Sequence, residues 1–123
     1  MKPIIKVIDS ITELTPQDEG CIAISGSHGG ISSARYALAA KPMLSVFNDA
    51  GVGKSHAGIV GLDLLQSHGL AACAVAHTSA SIGVAQSTLS DGVFSHVNPS
   101  AYALGLRVGH ACLEAVALLS TGT

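Results

Sequence analysis

Apolar runs recur along the chain at short intervals, and a polar or glycine-rich stretch closes each of them. Residues 3–8 (PIIKVI), 21–25 (CIAIS), 43–47 (MLSVF), 70–76 (LAACAVA) and 92–97 (GVFSHV) have the length and content of strands. The middle three are almost wholly apolar, as strands covered on both faces must be. Helical patterns alternate with them. Residues 31–40 are closed by Lys41-Pro42, residues 54–68 end before Gly69, and residues 99–119 follow Asn98 as cap and Pro99 at the first helical position. On that last helix Arg107, His110 and Glu114 form the one polar stripe. Residues 9–20 read as a surface loop with a helical turn, and residues 79–91 as a short helix before a turn at Asp91-Gly92. The alternation predicts a single α/β domain of three layers, a mostly parallel sheet of about five strands with helices on both faces.

Composition narrows what such a domain can do. The chain has 123 residues, 48% of them apolar, yet only two Tyr, two Phe and no Trp. A core built from Ala, Gly and Val packs densely only if elements approach closely, and it would gain from a second subunit. A homo-oligomer is therefore expected. The net charge is −2, and its six Lys and Arg residues are scattered, with no basic stripe for a nucleic acid. No stretch has the uncharged apolar length of a membrane span, and the N-terminal run is broken by Lys6 and Asp9, so a cytoplasmic protein is expected. Cys21, Cys73 and Cys112 stand far apart among apolar neighbours and read as buried free thiols.

The groups capable of chemistry gather where strands end. After the second run come Ser27 and His28 in the glycine turn 26–30; after the third, Asn48, Asp49 and Lys54; after the fourth, His77, Thr78 and Ser79; near the end of the fifth, His96 and Asn98. Open α/β sheets bind ligands outside the carboxyl ends of their strands, so these groups are expected on one rim. Gly29, Gly30, Gly51 and Gly53, with Lys54 opening a helix, would cradle an anion through backbone amides. Ser27, His28, Asp49, Lys54, His77 and His96 are the candidate nucleophile, acids and bases. Asn48, Thr78, Ser79 and Asn98 are candidate substrate contacts. His28, His77 and His96 with Asp49 would also suit a divalent ion, but no HxH or HExxH spacing supports one, so the cofactor stays open.

Two stretches resemble known motifs. Gly51-Val52-Gly53-Lys54-Ser55 resembles the end of a P-loop, with Asn48 standing where that family's first glycine falls. The resemblance implies a phosphate site. Ser25-Gly26-Ser27-His28-Gly29 resembles the nucleophile elbow of α/β-hydrolases, with Ser25 in place of the first glycine; it implies Ser27 as a nucleophile, served by His77 or His96 with Asp49 as orienter. The expectation is a hydrolase or related lyase acting on a small anionic metabolite. The alternatives are a non-catalytic phosphate-binding, small-ligand or assembly protein and, third, a P-loop-like nucleotide-binding protein.

Overall fold

Five strands, β1 (Ile5–Ile8), β2 (Ile22–His28), β3 (Leu44–Asn48), β4 (Ala71–Val75) and β5 (Phe94–Val97), lie side by side in chain order in one sheet. The computed structural model describes residues 2–121. Strands β1 to β4 are parallel, and β5 runs antiparallel to β4, so the sheet is mixed. Helices α1 (Ile31–Ala40), α2 (Gly61–Ser67), α3 (Ala85–Asp91), α4 (Pro99–Ala103) and α5 (Cys112–Ser120) fill the connections.

Two groups of buried side chains divide the alternating residues of the central strands between them. Ile22, Ile24, Leu44, Val46, Cys73 and Val75 pack with Phe94 and with Cys112 and Val116 of α5. Ala23, Phe47, Ala72 and Ala74 pack with Ala34 and Ala37 of α1 and Leu62 and Leu65 of α2. Successive strand residues point to opposite sides of a sheet, which is why β2 to β4 had to be apolar throughout. The small residues expected to permit close approach do so. A Cβ on Gly61 would run into the Gly29 and Gly30 carbonyls, and one on Gly26 into the Gly83–Val84 backbone that leads into α3. All three cysteines are free and buried.

Helix α1 has the bounds its sequence predicts, and Gly69, at φ 72°, follows α2 in the left-handed conformation that a helix terminus favours. Elsewhere three expectations fail. Strand β2 does not stop at Ser25; it continues through Gly26, Ser27 and His28, and His28 pairs with Asn48 of β3. Lys54 does not open a long helix. It begins a single 3-10 turn in which Ser55 and His56 have φ of 57° and 59°, and α2 begins only at Gly61. The final helix is broken in two by Gly105 and Gly109, at φ 102° and 93°, so Arg107, His110 and Glu114 form no continuous stripe. Arg107 instead lies 3.4 Å over the Tyr102 ring.

Among the described residues no helix is long and apolar enough to cross a membrane.

Candidate functional site

The polar centre of the molecule is Asp49, the residue immediately after β3. It is buried, and both carboxylate oxygens are occupied. Oδ1 accepts from the backbone N–H of Gly51 (2.8 Å), from the backbone N–H of His77 (3.0 Å) and from His77 Nδ1 (3.2 Å). Oδ2 accepts from the Ser95 hydroxyl at 2.7 Å. Burial by itself would raise the pKa of this carboxyl; the Gly51 amide, the Ser95 hydroxyl and the His77 amide and ring together outweigh it and hold the group below the ordinary carboxylate value.

A carboxylate can only accept, so the His77 ring must place its proton on Nδ1 to bond it. In the neutral ring this leaves Nε2 with its lone pair, and no described residue bonds that atom. His77 is held twice by Asp49, through backbone and ring, yet about half of its side chain is exposed. The ring lies against Gly51, where an added Cβ would stand 3.6 Å away. Parallel pairing explains the meeting: β3 and β4 are in register from Leu44↔Ala71 to Asn48↔Val75, so their first loop residues emerge together.

His77 borders a cleft of about 460 Å³ whose lining also includes Thr78, Ser79, Ser81, Ser87 and Asp91. The backbone N–H groups of Thr78 and Ala80 meet no acceptor among the described residues, whereas Ser79 N–H is held by Ala76 and Ser81 N–H by Ser87. Hydroxyls and one carboxylate line this cleft, and no Lys or Arg does.

Ser95 joins the cluster by a local irregularity. Phe94 pairs with Val75 and His96 with Ala74, which leaves Ser95 as the extra residue of a β-bulge. Bulges redirect a side chain, and this one directs the Ser95 hydroxyl at Asp49. Its proton has a second, longer acceptor in the Ala74 carbonyl at 3.4 Å, but the charged oxygen at 2.7 Å is the stronger partner. The contact between Ser95 Oγ and His96 Nδ1, 2.9 Å, must then carry the ring's proton.

The remaining expected site residues are distributed differently. Asn48 is buried; its amide donates to the Ala80 carbonyl and its oxygen accepts from the Ala50 N–H, so it shapes the loop. Ser27 accepts from the Ile11 N–H at 3.0 Å and meets no histidine. His28 is exposed, and its Nδ1 accepts from Gly30 N–H at 3.1 Å. Gly29 N–H donates to the Asn48 carbonyl, Gly51 N–H to Asp49 and Gly53 N–H to the Gly51 carbonyl, so the amides of the four glycines all have internal acceptors. Lys54 is exposed; its carbonyl accepts from the Ala57 N–H, and its ammonium forms no hydrogen bond or ion pair with any described residue. Ser79 bridges the Ala76 carbonyl and the Val93 N–H. Asn98 lies at the other end of the sheet. Because β5 runs backwards, its C-terminal end meets Ala72 near the start of β4, and the four side-chain bonds of Asn98 go to Ala72, Ala101, Leu62 and Leu70.

Reversal of β5 is also why Ser95 escapes sequence reasoning. In an antiparallel last strand the residues at its beginning, and not at its end, join the rim. The only sign in the sequence is polar Ser95-His96 inside an apolar run.

Among the described residues no three His, Cys, Asp or Glu side chains converge as a metal site requires. Burial pushes the Cys112 thiol up to about 12 and the Cys73 thiol well above its usual value, so neither is a thiolate nucleophile. Compared with known proteins, the chain significantly matches no family model, no curated sequence and no solved structure.

Proposed function

We propose that the protein is a small-molecule acid–base enzyme, a hydrolase or related lyase, working in the cleft beside His77. The observation that carries this reading is the 3.2 Å contact of His77 Nδ1 with the buried Asp49 carboxylate, which leaves Nε2 bare at the cleft. In this reading His77 Nε2 takes a proton from water as the water oxygen bonds to a substrate carbonyl carbon. The Thr78 and Ala80 amides receive the developing oxyanion, and the His77 imidazolium returns its proton to the leaving group. Asp49 remains a carboxylate throughout and stabilises the imidazolium. No cation lines the cleft, so the reacting part of the substrate is uncharged, and an anionic group on it would extend past Gly51 to Lys54.

Around this site we infer three layers, with α1 and α2 on one face of the sheet and α3 and α5 on the other. The support is the division of the core between alternate residues of β2, β3 and β4. A cytoplasmic location accords with three buried free thiols.

A second reading, a non-catalytic binding or assembly protein, draws on apolar side chains left in the open: Ile4 is 72% exposed, Leu118 67% and Tyr102 56%. The same surfaces support the proposal of a homo-oligomer. The nucleotide reading has least behind it, because Lys54 stands seven positions before the first residue of α2.

The test is hydrolysis of a panel of p-nitrophenyl esters and small primary amides by the wild type and His77→Ala. Loss of about 100-fold or more in the variant supports the base, in line with typical general-base contributions. Equal rates on every substrate turned over would reject it, and no turnover by the wild type would favour the binding protein.

A further inference from the structure

Besides the cleft at His77 the molecule has another of about 500 Å³, lined by His56, Ile59 and Val60 before α2 and by His96, Val97 and Val108 from the β5 side. Its volume lies in the range of small-molecule pockets. The walls are mainly branched aliphatic, and Val108 at 63% exposure is among the most open apolar side chains of the protein. The polar floor is the Ser95–His96 pair, and Asp63 of α2 adds a carboxylate to the lining.

The orientation of His96 is set from behind. Ser95 gives its proton to Asp49 Oδ2 at 2.7 Å, so His96 Nδ1 donates to Ser95 Oγ at 2.9 Å. In the neutral ring Nε2 is then an acceptor, and no described residue donates to it. His96 is half-buried and shares the lining of this cleft with Ile59, Val60, Val97 and Val108. The lining also carries the polar side chains of His56, Asp63 and Asn98, but the acceptor whose direction is fixed from behind is His96 Nε2, and beside aliphatic walls it suits a small apolar body bearing an O–H or N–H donor.

We propose that this second cleft is a binding site for such a molecule, a phenol or a comparable small donor-bearing ring, with its donor on His96 Nε2 and its ring against Val97, Val108 and Ile59. The site is separate from the cleft beside His77 and needs no turnover there. Asp49 supports both, holding His77 directly and His96 through Ser95.

Phenol itself is the probe, titrated into the full-length protein while the side-chain nitrogens of the histidines and the valine methyls are followed by NMR. The expected result is saturable movement of His96 Nε2 and of the Val97 and Val108 methyls, with the Val84 methyls unmoved. His96→Ala should weaken phenol about fivefold, the worth of one neutral hydrogen bond, and Ser95→Ala should weaken it less while releasing the Nδ1–H tautomer. Should His96→Ala fail to fold, the tautomer in the free wild type decides: Nε2–H there overturns the proposal. Unsaturable shifts spread over the surface, or unchanged affinity in a folded His96→Ala, overturn it as well.

Discussion

The two glycine-rich stretches, 26–30 and 48–53, have similar composition and opposite physics. In the first, glycine is required because something else occupies the space of a side chain: the Gly83–Val84 backbone at Gly26 and the Gly58 carbonyl at Gly29. None of these glycines has a positive φ. In the second, the space at Gly53 is open, and glycine serves conformation: Gly51 and Gly53 lie at φ 76° and 73°, with Ala50 before them and Val52 between them at 51° and 69°. A β-branched residue in that region is strained, and the Asn48 and Asp49 side chains hold the loop there by bonding its amides. The contrast teaches that glycine content alone does not distinguish a ligand cradle from a packing contact. The amides of the second loop already have internal acceptors, Gly51 in the Asp49 carboxylate, Ala50 in the Asn48 side chain, and Val52 and Gly53 in the Asp49 and Gly51 carbonyls.

Substitutions should separate the two roles, the packing glycines giving the largest effects. Gly61→Ala, which sets a Cβ against the Gly29 and Gly30 carbonyls, should destabilise by about 3 kcal/mol or prevent folding, since backbone cannot yield as a side chain would. Urea denaturation measures it, and a change under 1 kcal/mol would show that the two turns do not differ as described.

Asp49→Asn should come next. An amide in place of the carboxylate keeps the shape, but it accepts through one oxygen only: with that oxygen toward Gly51 and His77, the NH2 cannot accept from Ser95, and with the amide reversed it cannot accept from Gly51 and His77. A loss of about 1–3 kcal/mol is expected, with any activity at His77 falling alongside. The pH dependence has a definite sign. The folded pKa of Asp49 is lowered, so its stabilisation is fully present above the ordinary carboxylate value of about 4 and is lost as pH falls through the depressed folded value. Below pH ~4 the wild type should therefore lose stability more steeply than Asp49→Asn. Parallel curves would mean that the carboxylate contributes nothing to folding.

Gly53→Ala should cost only about 1 kcal/mol, the penalty of a left-handed Cβ in open space. A cost as large as that of Gly61→Ala would erase the distinction between the loops. The smallest effect is expected at Ser45 of β3, whose buried hydroxyl has no hydrogen-bond partner among the described residues. Ser45→Ala should be neutral or stabilise by up to ~1 kcal/mol, and marked destabilisation would reveal a partner such as a buried water.

Much of the framework was legible because its signals are local. The runs at 21–25, 43–47 and 70–76 contain β2 to β4 almost in place, and the bounds of α1 follow from the glycine pair before it and Lys41-Pro42 after it. The meeting of Asp49 with His77 also accords with their standing one and two residues beyond the ends of β3 and β4, which are parallel neighbours. The missed features depend on tertiary context. Gly105 and Gly109 stand inside an apolar pattern of helical period that masks them, although their positive φ breaks the helix. Gly58 and Gly61 delay α2 because they must slip under Asp49 and Gly30, which no local rule announces. The direction of β5 decides that Ser95 faces Asp49 and that Asn98 lies at the far edge, and strand direction is absent from a hydrophobic pattern.

Asp49 holds the His77 ring through Nδ1 and leaves Nε2 bare. Long-range 1H–15N NMR of the histidine side chains near pH 8 tests that most directly. His77 should carry its proton on Nδ1 in the wild type and lose this preference in Asp49→Asn. A wild-type His77 protonated on Nε2, or a tautomer unchanged by the substitution, would contradict it.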